Sequence, residues 1–402
     1  MASSEPPGDP PPFNKKSAPA APTTICDVGD DLLCEVFLRL PSLLSLVRAA
    51  LACPAFLRAV RSSPAFRRRF RELHPAPLLG VFLDIYGPAM PVFVPVRRRS
   101  DPDQAAAVRG ADVFLTHVPD DEGEGEGDGW VMTECRGGYV VLFKQRTKRV
   151  AVYDPLTRGL HLIPAPPEEV SRDPESALIE FHVVTSEEDR RSFQVVCVCM
   201  EREEVQVAAF SPDSSEWQIS PEAATPQLFG DGTLVNGCVY WADGDNIHVL
   251  NTATLQFSRI DSPHMGWRQD VKLGETSDGH LCLAATIGNT LAAWVRRTDD
   301  DGVGKWIPRT RFPMLDAICE LELQFEDEGT RVNVFVDVVA IIAGTVYLFT
   351  SRASAPDYSG WFLSFCIETE MLEKVCPITL CDPCYPYVTA WPPVLVGNIS
   401  LG

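Results

Sequence analysis

A strand–turn–strand unit recurs through the body of this chain, and it limits the possible folds more than any other feature. The copies VYDPLTRGLHLI, AFSPDSSEWQI, VLNTATLQFSRI and FCIETEMLEKV each place two short apolar runs around a turn of Asp, Asn, Ser, Thr or Pro. Those turn residues tolerate unusual dihedrals or hydrogen-bond their own backbone, so each copy reads as a tight β-hairpin. Asp154, Asp213, Asn251 and Glu368 mark the four turns, and the long interval between the last two requires one more copy. AAWVRRTDDDGVGKWI supplies it, with an extended acidic turn. Repeats of roughly 40 to 50 residues that end in such a hairpin are the pattern of β-propeller blades.

The strands fit that reading. GGYVVLF, RVAVYD, SFQVVCVCM, VQVAAF, CVYWAD, IHVLN, HLCLAATI, LAAWV, VFVDVVAII, TVYLFT and WFLSFCI are short, rich in Val, Tyr and Phe, and mostly bounded by Gly, Asp, Asn or Ser. A two-sheet sandwich accommodates the strand count but does not predict the repeated hairpin. Residues 78–402 have room for six blades, with seven also accommodated. The regions LLGVFLDIYGPAMPVFVPV and YVTAWPPVLVGNI are expected to meet, because a propeller closes its ring by pairing strands from both ends of the domain.

Ahead of Pro75-Ala76-Pro77 the texture is helical. Leu32, Leu33, Val36, Phe37 and Leu40 recur at the spacing of one helix face, and Pro41 stops the run. A second helix is expected behind a Ser42 N-cap, with Leu43, Leu44, Val47, Ala50 and Leu51 as its stripe, ending near Cys53-Pro54. A third follows Ser63-Pro64, with Phe66, Phe70 and Leu73 on one side. Three helices in about 50 residues bury too little surface to be comfortable alone, so they need cover from the rest of the chain or from another protein.

Composition narrows the function classes. The 402 residues are 45% hydrophobic, and 35 Lys plus Arg against 55 Asp plus Glu give a net charge of -20, which argues against general nucleic-acid or anionic-membrane binding. Arg67-Arg68-Arg69 with Arg71 on the third helix, and Arg97-Arg98-Arg99 in a later loop, read as solvated faces before nuclear-localisation signals. Residues 1–24 hold seven prolines and no apolar run, and are expected to be a disordered leader with no secretory signal. The acidic loop 119–129, with six carboxylates, is likewise expected to be disordered. VFVDVVAIIAG is too short and too polar for a membrane helix. Thirteen cysteines suit reduced, mostly buried thiols in a soluble intracellular protein, cytoplasmic or nuclear.

Chemistry is poorly signalled. There is no G-x-S-x-G and no HExxH. Cys381 and Cys384, with Cys376 nearby, lack a second ligand pair, so no metal or cofactor is assigned. Cys197 and Cys199 share one strand face and suit a core. His117, His182 and His280 read as satisfied core or turn residues, and Trp130, Trp217, Trp267 and Trp306 as blade packing, so no target-binding site is named. A propeller glycosidase would need two carboxylates facing across the central funnel, a distance that sequence does not give.

The segment ICDVGDDLLCEVFLRLPSLLSLVRAALACPAFLRAV resembles an F-box, the module by which receptor subunits dock on the Skp-type subunit of a cullin-RING ubiquitin ligase. Asp30-Asp31-Leu32-Leu33, Glu35-Val36-Phe37, Leu40-Pro41, Leu43-Leu44 and Cys53 match the pattern. Val28-Gly29 replaces the family's opening Leu-Pro, and Phe56 replaces its tryptophan. MTECRGGYVVLF, VYDPLTRGLHLIP and DPCYPYVTAWPP resemble the F-box-associated propellers of large plant, particularly grass, families. The resemblance implies a three-helix F-box over residues 25–75 and a non-catalytic receptor. Its Skp-type partner, and through it cullin and RING subunits, would be met by Val28, Leu32, Leu33, Val36, Phe37, Leu40, Pro41 and Leu44. Asp30 or Asp31 would cap the first helix, and the propeller would hold an unidentified protein target. A scaffold with a degenerate F-box is the alternative.

Overall fold

The computed structural model describes residues 28–84, 90–96, 102–119, 129–170, 177–185, 193–201, 204–220, 228, 230–263, 271–299, 301–321, 334–352, 359–379, 383–392 and 395–396. The expected leader, nearly all of the acidic loop, Arg97-Arg98-Arg99, Trp267 and Cys381 lie outside them.

Four helices open the described chain, not three: α1 (Asp30–Phe37), α2 (Leu43–Leu51), α3 (Pro54–Ser62) and α4 (Pro64–Leu73). The helix missed from sequence is α3. Pro54 does not end a helix there but begins one, because a proline at the first helical position loses no hydrogen bond and brings a helical φ. Ser42 caps α2 as expected, accepting from Ser45 N–H at 3.3 Å, and Ser63 caps α4, accepting from Phe66 N–H at 3.2 Å. Neither Asp30 nor Asp31 caps α1. The N-cap is Gly29, and both carboxylates sit in the first turn, where they complement the helix dipole.

The remaining chain is almost wholly β. It begins with β1 (Leu78–Leu83), β2 (Val92–Pro95) and the helix α5 (Pro102–Gly110). Three antiparallel four-stranded meanders follow: β3 (Val131–Arg136) to β6 (Gly159–Ile163), β7 (Leu178–Thr185) to β10 (Glu216–Ile219), and β11 (Thr233–Val235) to β14 (Gln256–Asp261). Their middle strands are β4 (Tyr139–Lys144), β5 (Arg149–Asp154), β8 (Phe193–Glu201), β9 (Glu204–Ser211), β12 (Cys238–Asp243) and β13 (Asn246–Asn251). Next come β15 (Val271–Glu275), β16 (Leu281–Ile287), β17 (Thr290–Thr298) and β18 (Gly304–Pro313), then α6 (Met314–Glu320). The strands β19 (Val334–Ile342), β20 (Thr345–Arg352), β21 (Ser359–Cys366), β22 (Leu372–Thr379) and β23 (Cys384–Val388) complete the order.

These strands form a propeller-like ring. Among the described residues, four sheets carry four or more strands, not the six or seven separate blades expected, and a fifth has three. The difference lies in one place. The strands β15 to β18 and β19 to β22 are each an antiparallel meander, but β15 and β19 touch in parallel at Gly274 and Ile341, which fuses them into one eight-stranded sheet. Gly274 permits that contact, since a Cβ there would collide with Ile341.

Each expected hairpin joins the third and fourth strands of its meander, and most share one geometry. Arg158, Ser215, Leu255 and Glu370 take a left-handed conformation, and each donates its N–H to the carbonyl four residues back, at 2.7 to 2.9 Å. The first turn residues are therefore Asp154, Ser211, Asn251 and Cys366, and the markers Asp213 and Glu368 lie two residues too late. Asp154 Oδ1 accepts Leu156 and Thr157 N–H, and Asn251 Oδ1 accepts Ala253 and Thr254 N–H, which is why these side chains recur in the turns.

The ring closes as expected: β1 pairs with β23, Leu78 opposite Val388 and Leu83 opposite Cys384. On the inside, β23 lies beside β3, β3 beside β7, β11 beside β15, β15 beside β19, and β19 beside β23. Apolar clusters fill the wedges between successive sheets, such as Val141, Val152, Phe181 and Val195 between the first two meanders. Trp217 and Trp306 span such wedges, their indole N–H groups donating to Pro164 O at 3.1 Å and Asp261 O at 2.7 Å.

Candidate functional site

The helical domain divides its leucine-rich surface. Leu33 and Phe37 are buried in the helices' own core with Leu43, Leu46, Ala50, Val60, Phe66 and Phe70. They are therefore removed from the expected partner face, since a side chain that fills the core of its own domain is not presented to another. Leu44 also leaves that face: it packs against the propeller cluster of Leu79, Phe82 and Tyr387. Val28 and Leu40 are half-buried at the edge of the helical core. Leu32 is 64% exposed, Val36 is 49% exposed, and Pro41, beyond the end of α1, is exposed.

Two further apolar side chains, Leu51 and Leu73, are exposed although their periodicity assigns them to packing stripes. Each is the last residue of its helix, where the stripe runs beyond the surface it covers. Phe56, standing at the family's tryptophan position, is half-buried and meets Phe37 edge-on with ring centroids 5.4 Å apart. Cys34, on α1, donates its thiol to Ala59 O at 3.7 Å. Burial and the nearby Asp30, Asp31 and Glu35 carboxylates push its thiol upward.

The helices are fixed to the ring from two sides. Asp103 at the start of α5 accepts from Ser45 Oγ at 2.8 Å and pairs with Arg48 at 2.7 Å, while Gln104 Nε2 donates to Leu78 O at 2.5 Å. On the other side, Trp391 and Leu395 enter the helical core. Of the segment YVTAWPPVLVGNI, Tyr387 and Val388 pair with β1 to close the ring, whereas Trp391 and Leu395 belong to the helical core.

A charged network occupies the inner strands. His182 is buried, and its two ring nitrogens donate to Glu134 Oε1 and Glu180 Oε2, each at 3.3 Å. Glu134 also accepts Val183 N–H at 2.7 Å, and Glu180 accepts Gly232 N–H at 3.0 Å and Trp241 Nε1–H at 3.1 Å. Burial opposes the imidazolium, but the two carboxylates outweigh it and raise the His182 pKa to about 9. The cluster links β3, β7 and the start of β11. Closer to the hairpin ends, Arg136 on β3 meets Glu275 on β15 at 2.8 Å. Those strands are not neighbours in the ring, so the pair crosses its axis.

Of the other singled-out residues, Arg67, expected on a solvated face, is instead buried, its guanidinium donating to Val60 O at 3.2 Å and to Arg61 O. His117 donates to Asp112 at 2.9 Å, where Tyr153 Oη also donates at 2.6 Å; burial opposes the Asp112 charge, but these bonds hold its carboxyl well below the usual range. His280 pairs with Asp278 at 3.1 Å. Trp130 is buried, with its N–H on Pro119 O. Cys197 and Cys199 face one core together, and burial drives the Cys197 thiol well upward. Among the described residues no three His, Cys, Asp or Glu side chains gather as a metal site, and no helix is long and apolar enough to cross a membrane.

A family profile described as F-box protein AT5G49610-like, beta-propeller, matches residues 131–395, more than half of the chain. No curated protein matches the sequence. Among solved structures, TolB from Acinetobacter baumannii is similar at 15% identity and a TM-score of 0.37, over 73% of this chain and 63% of TolB, so the chain spans less than two thirds of that protein's length. A protein from Lactobacillus plantarum is similar at 13% identity and a TM-score of 0.33, over 66% of this chain and 75% of that one. Likenesses so distant carry no argument about function. The matched profile begins at the first strand of the first four-stranded meander and ends in the segment that enters the helical core, and the chain accordingly belongs to the F-box protein AT5G49610-like β-propeller family.

Proposed function

We propose that this protein is the target-receptor subunit of an SCF-type cullin-RING ubiquitin ligase. In this reading α1 to α4 are an F-box that docks on a Skp-type subunit, and a propeller of six blades, counting the fused sheet as two, holds a protein to be ubiquitinated in the cytoplasm or nucleus. The observation that carries the reading is the split on α1: Leu33 and Phe37 complete the domain's own core, while Leu32 and Val36 stay in water. Side chains of that size gain roughly 1.5 to 3 kcal/mol each on full burial, enough to support a docking face. Family membership points the same way. A non-catalytic role is favoured because three inner-strand carboxylates are committed to bonds within the protein, Glu134 and Glu180 with His182 and Glu275 with Arg136.

Co-purification from cells tests it. Leu32→Asp with Val36→Asp is expected to lower capture of a Skp-type subunit and cullin by more than about tenfold, with the propeller still folded by circular dichroism; undiminished capture rejects the assigned face. Phe37→Asp does not serve this purpose, because Phe37 is core. The scaffold reading draws on Val28, Gly29 and Phe56, which give a smaller apolar surface than the family pattern. It requires that the unaltered chain capture neither subunit.

A further inference from the structure

The core of the helical domain is completed from the far end of the sequence. Beyond β23, Thr389 donates its N–H to Pro77 O at 3.0 Å, and the chain then crosses onto α1 to α4. Trp391 is 8% exposed and Leu395 fully buried, in one cluster with Leu33, Phe37, Leu46 and Phe70, and Val396 packs at its edge. The indole meets Phe70 edge-on at 5.9 Å, and the Arg71 guanidinium lies over it at 5.3 Å from its centroid. A unit of about 50 residues is marginal by itself, and an indole is larger than any apolar side chain the helices supply to that core. Only Thr389 and Ala390 separate Trp391 from β23, the strand that closes the ring against β1. So short a tether means that the position of Trp391 follows from closure.

We propose that the segment carrying Trp391 and Leu395 is an intramolecular ligand of the helical domain, which couples that domain's fold to closure of the propeller. The face bearing Leu32 and Val36 is then presented in its ordered form only by a chain whose ring is complete. A receptor with an unfinished target domain would be a poor competitor for the ligase. This consequence for partner binding rests on the adaptor reading above, whereas the coupling itself does not.

Hydrogen–deuterium exchange on the full chain separates the two. In Trp391→Ala with Leu395→Ala, amides of α1, α2 and α4 are expected to exchange at least tenfold faster, while β8 and β9 keep their protection. Leu395→Ala alone, which leaves a smaller cavity, is expected to give a lesser acceleration in the same helices and serves if the double variant does not fold. Gly80→Val acts from the other side. It lies on β1, where a Cβ would collide with the Phe93 ring and Val94 O. It is expected to loosen β1 and β23 and, with them, α1 to α4.

Helical exchange within twofold of the unaltered chain in the Leu395 variants would overturn the proposal, as would a Gly80→Val chain whose β1 and β23 open while its helices stay protected. Accelerated helices in a protein that never captures a Skp-type subunit would uphold the coupling and reject the adaptor reading.

Discussion

His182 concentrates the residue-scale chemistry of this protein. A histidine that reads as one more dispersed side chain is an imidazolium held between Glu134 and Glu180, which reach it from β3 and from two residues earlier on β7. Its folded pKa of about 9 lies above the ordinary value near 6.5. The group therefore contributes stability that is fully present below about pH 6.5 and is lost as pH rises through about 9, on the order of 3 kcal/mol in total. Urea unfolding between pH 6 and pH 9.5 is expected to reveal that decline in the unaltered chain and a much flatter profile in His182→Gln. Equal slopes would deny His182 its charge. The same scale separates Leu32 and Val36 from Leu33 and Phe37: neighbours in sequence point to opposite surroundings, and only the packing of α3 and α4 decides which side is dry.

At the scale of elements, one tight turn and one close approach shape the ring. Where β19 turns into β20, Ala343 and Gly344 have φ of 48° and 79°, the pair of left-handed residues that a two-residue hairpin requires. Where β15 meets β19, Gly274 leaves room for Ile341. Gly274→Val is expected to cost about 2 kcal/mol, the usual range for overpacking, because the clash is with backbone and a branched side chain that have nowhere to move. Chemical denaturation checks it, and a loss below about 0.5 kcal/mol would mean that the fused sheet tolerates separation. The recurrent hairpin belongs to this scale too. Its turn residues announce themselves in sequence because the bonds they make are local, from a side chain to a backbone two or three residues away.

Across the whole molecule, the ring is braced through its middle. Arg136 and Glu275 join strands separated by β7 and β11, and each side chain is about three-quarters buried. A double-mutant cycle with Arg136→Met and Glu275→Met is expected to give a coupling of about 1 kcal/mol, the upper end for a partly exposed pair. Additive effects would reduce the pair to a surface contact. The helices rest on this ring through Asp103 and Gln104 on one side and Trp391 on the other, so the two domains share a boundary that neither sequence half contains by itself.

The sequence by itself determined what depends on near neighbours: the break at Pro75-Ala76-Pro77, the eleven strands read from it, the five hairpins, the Ser42 cap, the helix start at Ser63-Pro64, and the pairing of the first β region with the last. Hydrogen bonds within a turn and the periodicity of a strand are written in consecutive residues. Tertiary structure alone decided the fusion at Gly274, the partners of His182, the division of the α1 leucines and the insertion of Trp391 among the helices. Each of these joins side chains far apart in the chain, and burial is a property of the surface brought against a residue, which its own sequence neighbours do not specify.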